Sequence, residues 1–117
     1  MKENLIQQKT FSFSLKIIKL CMYMSHNNEY VLSRQLLKSG TSIGANVEEV
    51  LAGSSKRDFT AKMSIAAKEA RETHYWLRLI KNSNIITYDL DDLLMEIEEI
   101  INILYAIVKT TQRKYQL

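Results

Sequence analysis

A run of cationic and aromatic side chains at helical spacing is the feature of this sequence best suited to chemistry. Lys68, Arg71, Tyr75 and Arg78 recur at steps of three and four residues, so they line one stripe of a helix. Cations neutralise phosphates, and a nucleic-acid base stacks on an interleaved ring. The stripe therefore predicts a nucleic-acid site. The alternative is a solvated face whose charges pair locally, for example Lys68 with Glu72, and spacing alone leaves both open.

Three further cations, Lys56, Arg57 and Lys62, extend this predicted surface if the fold brings them together. The chain carries 16 Lys and Arg against 13 Asp and Glu, a formal net charge of +3. The positive charge is concentrated in residues 1–86, whereas acids open the last segment of the chain. This mild positive balance permits nucleic-acid binding without requiring it.

No arrangement of residues predicts catalysis or metal binding. His26 and His74 have no carboxylate or cysteine partner at metal-ligand spacing. Helical ribonucleases of the HEPN type have an Arg and a His separated by four to six residues. For His74 this puts the Arg at residues 67–69, which contain none. The adjacent pair Glu48-Glu49 diverges by about 100° on a helix, unlike the ligands of a di-iron bundle. We therefore expect no enzymatic activity, no metal and no cofactor.

The composition predicts an intracellular helical protein. There is no proline and there are only three glycines, too few for the turns of a strand-rich fold. The single cysteine, Cys21, allows no disulfide within the chain. No apolar run approaches the roughly 20 residues of a membrane span, and the first residues lack a signal peptide's apolar region. We expect a cytoplasmic location and no membrane partner.

Apolar periodicity predicts four helices, at about residues 5–25, 29–52, 56–82 and 87–112. Short loops between long helices make neighbours antiparallel, so we predict one all-α domain over residues 1–117, an antiparallel up-and-down four-helix bundle. The third segment shows the clearest seam, with apolar or small residues alternating at steps of four and three. The first segment carries two apolar stripes, which indicates that it is covered on more than one side.

The second segment contains two features that need a close neighbour. Gly40 and Gly44 lie one turn apart inside a helix, where glycine costs about 1 kcal/mol relative to alanine. Something must therefore pack close to the backbone, either another helix of the bundle or another subunit. Beside them Ser42, Asn46 and Glu49 share a flank, and we expect them to form a structural network with polar groups of the third helix, such as Glu69, Arg71 or Glu72.

Two longer stretches give the chain a family resemblance. RQLLKSGTSIGANVEE at residues 34–49 and DFTAKMSIAAKEARETHYWLRLIK at 58–81 resemble the signatures of four-helix-bundle proteins encoded in intervening sequences of bacterial large-subunit ribosomal RNA genes. FSLKIIKL near the start and IVKTT near the end also fit. The matching signature positions are Gly40, Ser42, Gly44, Asn46, Glu49, Lys68, Glu69, Arg71, Glu72, Tyr75 and Trp76. Proteins of this family are often labelled ribosomal.

The resemblance implies a bundle that assembles into a ring-like homopentamer. A related group, the accessory protein of diversity-generating retroelements, is also a pentameric bundle and binds nucleic acid and a reverse transcriptase. The resemblance therefore favours subunit contacts for the glycine face and for Trp76. It also favours a non-enzymatic, oligomeric protein that binds RNA or DNA through its basic surface with little sequence specificity. The alternative is a scaffold that binds another protein and has no direct contact with nucleic acid.

Overall fold

The chain folds into four long helices. The computed structural model describes residues 4–53 and 55–116, and the helix bounds are α1 Leu5–His26, α2 Tyr30–Leu51, α3 Lys56–Ser83 and α4 Asp91–Tyr115. Helix α1 packs on α2, α2 on α3 and α3 on α4, and α4 closes against α1 along a shorter seam. This confirms the predicted all-α, antiparallel up-and-down bundle. The bundle is 47 Å long, and none of its helices in the described residues is long and apolar enough to cross a membrane.

The core is built from one apolar stripe of each helix. In α1 the side chains of Phe13, Ile17, Leu20 and Met24 are fully buried. The matching buried residues are Leu36, Ile43, Val47 and Val50 in α2, Met63, Ala66, Ala70, Leu77 and Ile80 in α3, and Leu93, Ile97, Ile100 and Leu104 in α4. Burial of apolar area is the main force that holds such a bundle together, because each side chain removed from water contributes about 1.5–3 kcal/mol.

Local signals in the sequence set the helix ends. The Asn4 side chain accepts hydrogen bonds from the first turn of α1, at 2.9 Å from the Ile6 N–H. After α1 the chain turns at Asn28, whose φ of 65° lies in the left-handed region that Asn tolerates. Gly53 follows α2 with a φ of 108°, and the Ser55 hydroxyl accepts a bond from the Asp58 N–H at 3.2 Å. The first three predicted helices therefore agree with the observed bounds to within one residue.

The fourth helix begins at Asp91, about four residues later than the predicted start near residue 87. The Asp89 carboxylate accepts a hydrogen bond from the Asp91 N–H at 3.0 Å, a local turn that competes with the helix. Helix α1 also holds the loop, because the Tyr23 hydroxyl donates to the Thr87 carbonyl at 2.6 Å. The Tyr23 and Tyr88 rings pack with centroids 5.0 Å apart. These tertiary contacts with α1 are not visible in the apolar periodicity of the fourth segment.

The glycine face of α2 packs against α1 within the same chain. A Cβ atom added at Gly40 would lie 2.9 Å from Cγ2 of Ile17, and one at Gly44 would lie 3.4 Å from the Ser14 hydroxyl and from the Thr10 carbonyl oxygen. Both glycines are buried. The close neighbour of the two glycines is therefore another helix of the same bundle. The subunit contact that the resemblance favoured for this face is wrong.

The predicted polar network beside the glycines forms only in part. The Asn46 side-chain amide donates to the Ser42 carbonyl at 2.8 Å, within α2, and Glu49 pairs with Lys62 of α3 at 2.9 Å. Among the described residues no hydrogen bond joins this group to Glu69 or Glu72, and Arg71 lies on another side of α3. The buried link between α2 and α3 is instead the bond from the Thr73 hydroxyl to the Ser39 hydroxyl, at 2.9 Å.

The second apolar stripe of α1 remains exposed in the single chain. Its members are Phe11, Leu15, Ile18 and Met22, and between 40% and 59% of each residue is accessible to solvent. Each of them precedes a core residue by two positions, which is about 200° around a helix. The stripe therefore points away from the bundle, and the prediction that α1 is covered on more than one side is not met by this chain alone.

Candidate nucleic-acid interface

A groove runs between α3 and α4 along the outside of the bundle. Its larger part has a volume of about 630 Å³, and the lining residues are Arg71, His74, Tyr75, Arg78, Glu98, Ile101, Asn102 and Tyr105. A second part of about 360 Å³ is lined by Ser64, Ala67, Lys68, Arg71, Tyr105 and Val108. Arg71 and Tyr105 line both parts, so the two cavities lie next to each other, one on either side of this pair. Together we call them the α3–α4 groove.

The groove brings the predicted stripe together. Lys68, Arg71, Tyr75 and Arg78 all line it, because steps of three and four residues keep them on the flank of α3 that faces α4. The apolar seam of α3 is buried in the core, and this burial fixes the rotation of α3 about its own axis. The stripe therefore lies beside α4. Four side chains that were linked only by spacing are therefore neighbours along one concave surface.

Arg71 is held in place by a residue of α4. Its Nη1 donates a hydrogen bond to the Tyr105 hydroxyl oxygen at 2.6 Å, and its guanidinium carbon lies 5.8 Å from the centre of the Tyr105 ring. This hydrogen bond raises the pKa of Arg71 above its ordinary value. Arg71 is therefore a positioned cation that stays charged, and its remaining N–H groups are available to an anion.

Arg78 and Tyr75 form a second cation and ring pair one to two turns further along. The Arg78 guanidinium carbon lies 5.9 Å from the centre of the Tyr75 ring. That ring in turn meets Trp76 edge to face, with centroids 5.3 Å apart. Trp76 is half-buried against the core, and its indole nitrogen is buried without a hydrogen-bond partner among the described residues. The Tyr75 ring of the groove is thus supported from behind by Trp76, which packs against the core.

The α4 side of the groove has a different character. His74 Nε2 of α3 lies 3.7 Å from the Glu98 carboxylate, and Asn102 lies on the same lining. No Lys or Arg of α4 lines either part of the groove. The cations are therefore concentrated on the α3 rim, whereas the α4 rim offers an acid, an amide and a tyrosine ring.

The cations of the α3 rim form no salt bridge among the described residues, although Lys68 interacts electrostatically with the neighbouring Glu69 carboxylate. Within residues 4–53 and 55–116, the ion pairs of Lys or Arg involve Lys9, Lys16, Lys62 and Lys81. None includes Lys68, Arg71 or Arg78. In particular, the local pair of Lys68 with Glu72 that would make this stripe an ordinary solvated face does not form. The positive charge of the rim is therefore open to an external anion.

The three outlying cations do not join the groove. Lys62 precedes Arg71 by nine residues, about 180° around α3, and pairs with Glu49 of α2 at 2.9 Å. Lys56 lies at the end of the bundle with its ammonium 4.4 Å from the centre of the Tyr115 ring. Arg57 is exposed on the first turn of α3, 14 residues and about 21 Å before Arg71. The predicted surface is corrected to the four residues of the stripe, because helix rotation separates Lys62 and distance separates the other two.

Sequence reasoning missed the contribution of α4. Glu98, Asn102 and Tyr105 recur at steps of four and three residues, next to the apolar face of the fourth segment. That spacing was a usable signal for a polar flank, but the direction of the flank depends on the rotation of α4 in the bundle. The described residues contain no group of three or more His, Cys, Asp or Glu side chains placed to hold a metal ion.

Comparison with known proteins identifies the relatives of this fold. The family model described as 23S rRNA-intervening sequence protein matches residues 2–106. A solved structure from Bacteroides thetaiotaomicron, described as a protein of unknown function from the S23 ribosomal protein family, is 37% identical. The alignment covers 90% of this chain and 99% of that one, with a TM-score of 0.84. No curated protein matches. The match over most of the chain shows that this protein belongs to the 23S rRNA-intervening sequence protein family.

Proposed function

We propose that the α3–α4 groove binds the sugar-phosphate backbone of RNA or DNA, without catalysis and with little sequence specificity. The observation that carries this proposal is the convergence of Lys68, Arg71 and Arg78 on one concave rim, where none of them forms a salt bridge with a carboxylate of the described residues. Cations in such an array release counterions from a nucleic acid on binding, and this release supplies most of the sequence-independent affinity. Phosphate contacts alone do not distinguish one base from another.

A charge-reversal experiment tests this proposal. Arg71→Glu with Arg78→Glu removes two of the three rim cations, and we expect affinity for a mixed-sequence RNA at low salt to fall by about tenfold or more. Both side chains are exposed, so helix content and thermal unfolding should stay close to those of the unmodified protein. Affinity that remains unchanged in this variant would refute the groove as the binding site.

A matched control exists outside the groove. Arg34→Glu with Arg57→Glu changes the net charge by the same amount, and both residues are exposed, on α2 and on the first turn of α3, where neither lines the groove. If the field of the whole protein binds the nucleic acid, both double variants lose affinity equally. If the groove binds it, only the Arg71 and Arg78 variant does.

We also propose that the protein works as a homo-oligomer. The support is the exposed stripe of α1, because four aligned large apolar side chains facing water mark an interaction surface. A different apolar recess of about 400 Å³, lined mainly by Phe59, Ile103, Ala106 and Ile107, lies where α3 and α4 meet. A contact between two different faces repeats around an axis, and it closes into a ring when the rotation between neighbouring subunits is a whole fraction of a turn. Such a ring is the arrangement of the homopentamer that the family resemblance implies.

The oligomer has its own test. Leu15→Asp places a charge in the middle of the stripe, where Leu15 is 50% exposed and makes no contribution to the core. We expect light scattering to show a shift to the mass of a single chain while the helical circular dichroism is retained. Ser12→Asp, at an exposed polar position of α1 about 90° around the helix from the middle of the stripe, adds the same charge. It is the matched control and should leave the mass unchanged. An oligomer that survives Leu15→Asp would contradict the role of the stripe.

The stripe also supports a second candidate function, a scaffold that recruits another protein without touching nucleic acid. In that case Leu15→Asp abolishes the capture of the protein partner, whereas the Arg71 and Arg78 variant retains it.

We place either function in the cytoplasm, since the one cysteine, Cys21, is buried and unpaired. We propose binding without cleavage, so labelled RNA should stay at full length after incubation with the protein.

A further inference from the structure

The α3–α4 groove contains aromatic rings that phosphate binding does not use. Tyr75 is 48% exposed and Tyr105 is 42% exposed, and each has an arginine beside its ring, at 5.9 Å and 5.8 Å respectively. An exposed tyrosine ring is a platform on which a base stacks, because every base has a π-face. In a duplex the bases are stacked on one another inside the helix, so they do not reach such rings.

The dimensions of the groove also disfavour a duplex. Its lining on α3 runs from Ser64 to Arg78, and these 14 steps span about 21 Å at 1.5 Å each. Axes of packed helices lie about 8–10 Å apart, whereas the major groove of a DNA duplex alone is about 12 Å wide. A duplex can only lie across the groove, but one strand fits along it. At the 3.4 Å spacing of a duplex strand, about six nucleotides span its length, and an extended strand has fewer.

The two rims differ in charge, and this difference orients the phosphates of a bound strand towards one rim and its bases towards the other. Lys68 and Arg78 belong to α3, and Arg71 of the same helix reaches across to the Tyr105 hydroxyl of α4. A phosphate backbone bound by these three cations would therefore run along α3 and past the Arg71–Tyr105 pair. The α4 rim carries the Glu98 carboxylate, which repels phosphate, and the Asn102 amide, which both donates and accepts hydrogen bonds. Exposed base edges present donors and acceptors that suit such groups, and only an unpaired strand has free Watson–Crick edges.

We infer that the α3–α4 groove is a site for single-stranded nucleic acid, with phosphates along α3 and bases stacked on Tyr75 and Tyr105. The inference rests on the proposed function, because it assigns the form of nucleic acid that the same groove takes. It adds the aromatic rings as the element that separates a single strand from a duplex, and it limits the strand bound by one groove to about six nucleotides.

The test compares a mixed-sequence single strand of 12 nucleotides with a blunt duplex of the same sequence, both as RNA and as DNA. The expected result is binding to the single strand at least tenfold tighter than to the duplex. Tyr75→Leu should weaken single-strand binding by about 5- to 150-fold, the range for loss of one stacked base. It should leave the weaker duplex binding unchanged. Tyr75→Phe keeps the ring and is the matched control, with single-strand affinity close to that of the unmodified protein.

The outcomes separate this inference from the proposed function. Equal or tighter binding to the duplex, still lost in the Arg71 and Arg78 variant, overturns the single-strand inference and leaves phosphate binding by the groove intact. A loss in Tyr75→Phe as large as that in Tyr75→Leu also overturns it, because the phenyl ring retains the stacking face. No binding to either form at low salt overturns both. Thermal unfolding of each variant confirms that the bundle is folded in every comparison.

Discussion

Replacing Gly40 by alanine tests how closely α2 packs on α1. A Cβ atom at this position would lie 2.9 Å from Cγ2 and 3.1 Å from Cγ1 of Ile17. Ile17 is fully buried, and its branched side chain has little χ1 freedom inside a helix. The methyl group therefore has no easy way to move aside, so that the helices must shift apart to admit the new atom.

The expected magnitude follows from two opposing effects. Alanine is favoured over glycine in a helix interior by about 1 kcal/mol, whereas overpacking a filled core costs about 1–3 kcal/mol. A closest approach of 2.9 Å is well inside normal contact, so we take the upper half of that cost. Gly40→Ala should therefore lower the free energy of unfolding by about 1–2 kcal/mol, roughly 4–8 °C in Tm for a small domain.

Gly44, one turn further along, provides the matched control. A Cβ atom there would lie 3.4 Å from the Ser14 hydroxyl oxygen and from the Thr10 carbonyl oxygen, which is ordinary van der Waals contact. The overpacking cost is then small, and the gain in helix propensity prevails. Gly44→Ala should raise the free energy of unfolding by up to about 1 kcal/mol.

Urea unfolding followed by circular dichroism measures both variants. All samples need the same protein concentration, because assembly makes apparent stability depend on concentration. Two identical substitutions at two buried glycines of one helix should therefore change the free energy of unfolding in opposite directions. A Gly40→Ala variant as stable as Gly44→Ala, or more stable than the unmodified protein, would refute the close packing on Ile17.

Two further predictions concern buried polar groups. Thr73→Val removes the donor of the 2.9 Å bond to Ser39, and we expect the free energy of unfolding to fall by about 1–2 kcal/mol; an unchanged urea midpoint would contradict this. Burial raises the pKa of the Cys21 thiol above 9.0, so the folded chain keeps this proton while the unfolded chain loses it. Stability should therefore decline as pH rises above about 9, less so in Cys21→Ala. A stability difference between the two proteins that does not change with pH would argue against that burial effect.

The fold could be predicted from the sequence because each helix carries a regular apolar period and short loops leave few ways to connect them. The seam of α3, from Met63 to Ile80, is buried as its spacing indicated. The start of α4 could not be predicted in this way. It depends on contacts from Tyr23, which is more than 60 residues away in sequence, and periodicity within one segment carries no information about such a partner.

The candidate site could be predicted only for one of its two rims. The steps between Lys68, Arg71, Tyr75 and Arg78 define a helix stripe by themselves, without knowledge of the fold. The partners Tyr105, Glu98 and Asn102 come from α4, and their approach depends on how both helices rotate about their axes. The same rotation separates Lys62 from the stripe, although composition alone grouped it with the other cations.

The exposed stripe of α1 shows a different limit. Periodicity predicted that Phe11, Leu15, Ile18 and Met22 need a partner, and the bundle of one chain covers only the opposite side of α1. Apolar spacing indicates that a surface avoids water, but it does not identify what covers that surface. The glycine face illustrates the same point, since its partner is α1 of the same chain.

The salt dependence of binding tests the central claim most directly. Three phosphates neutralised by Lys68, Arg71 and Arg78 predict a slope of log affinity against log salt near −2 for a single strand that fills one groove. Affinity should then fall by about 20-fold between 50 and 200 mM salt. In the Arg71 and Arg78 variant the slope should be shallower, between 0 and about −1. Binding that is independent of salt, or a slope that this variant leaves unchanged, would contradict a nucleic-acid site in the α3–α4 groove.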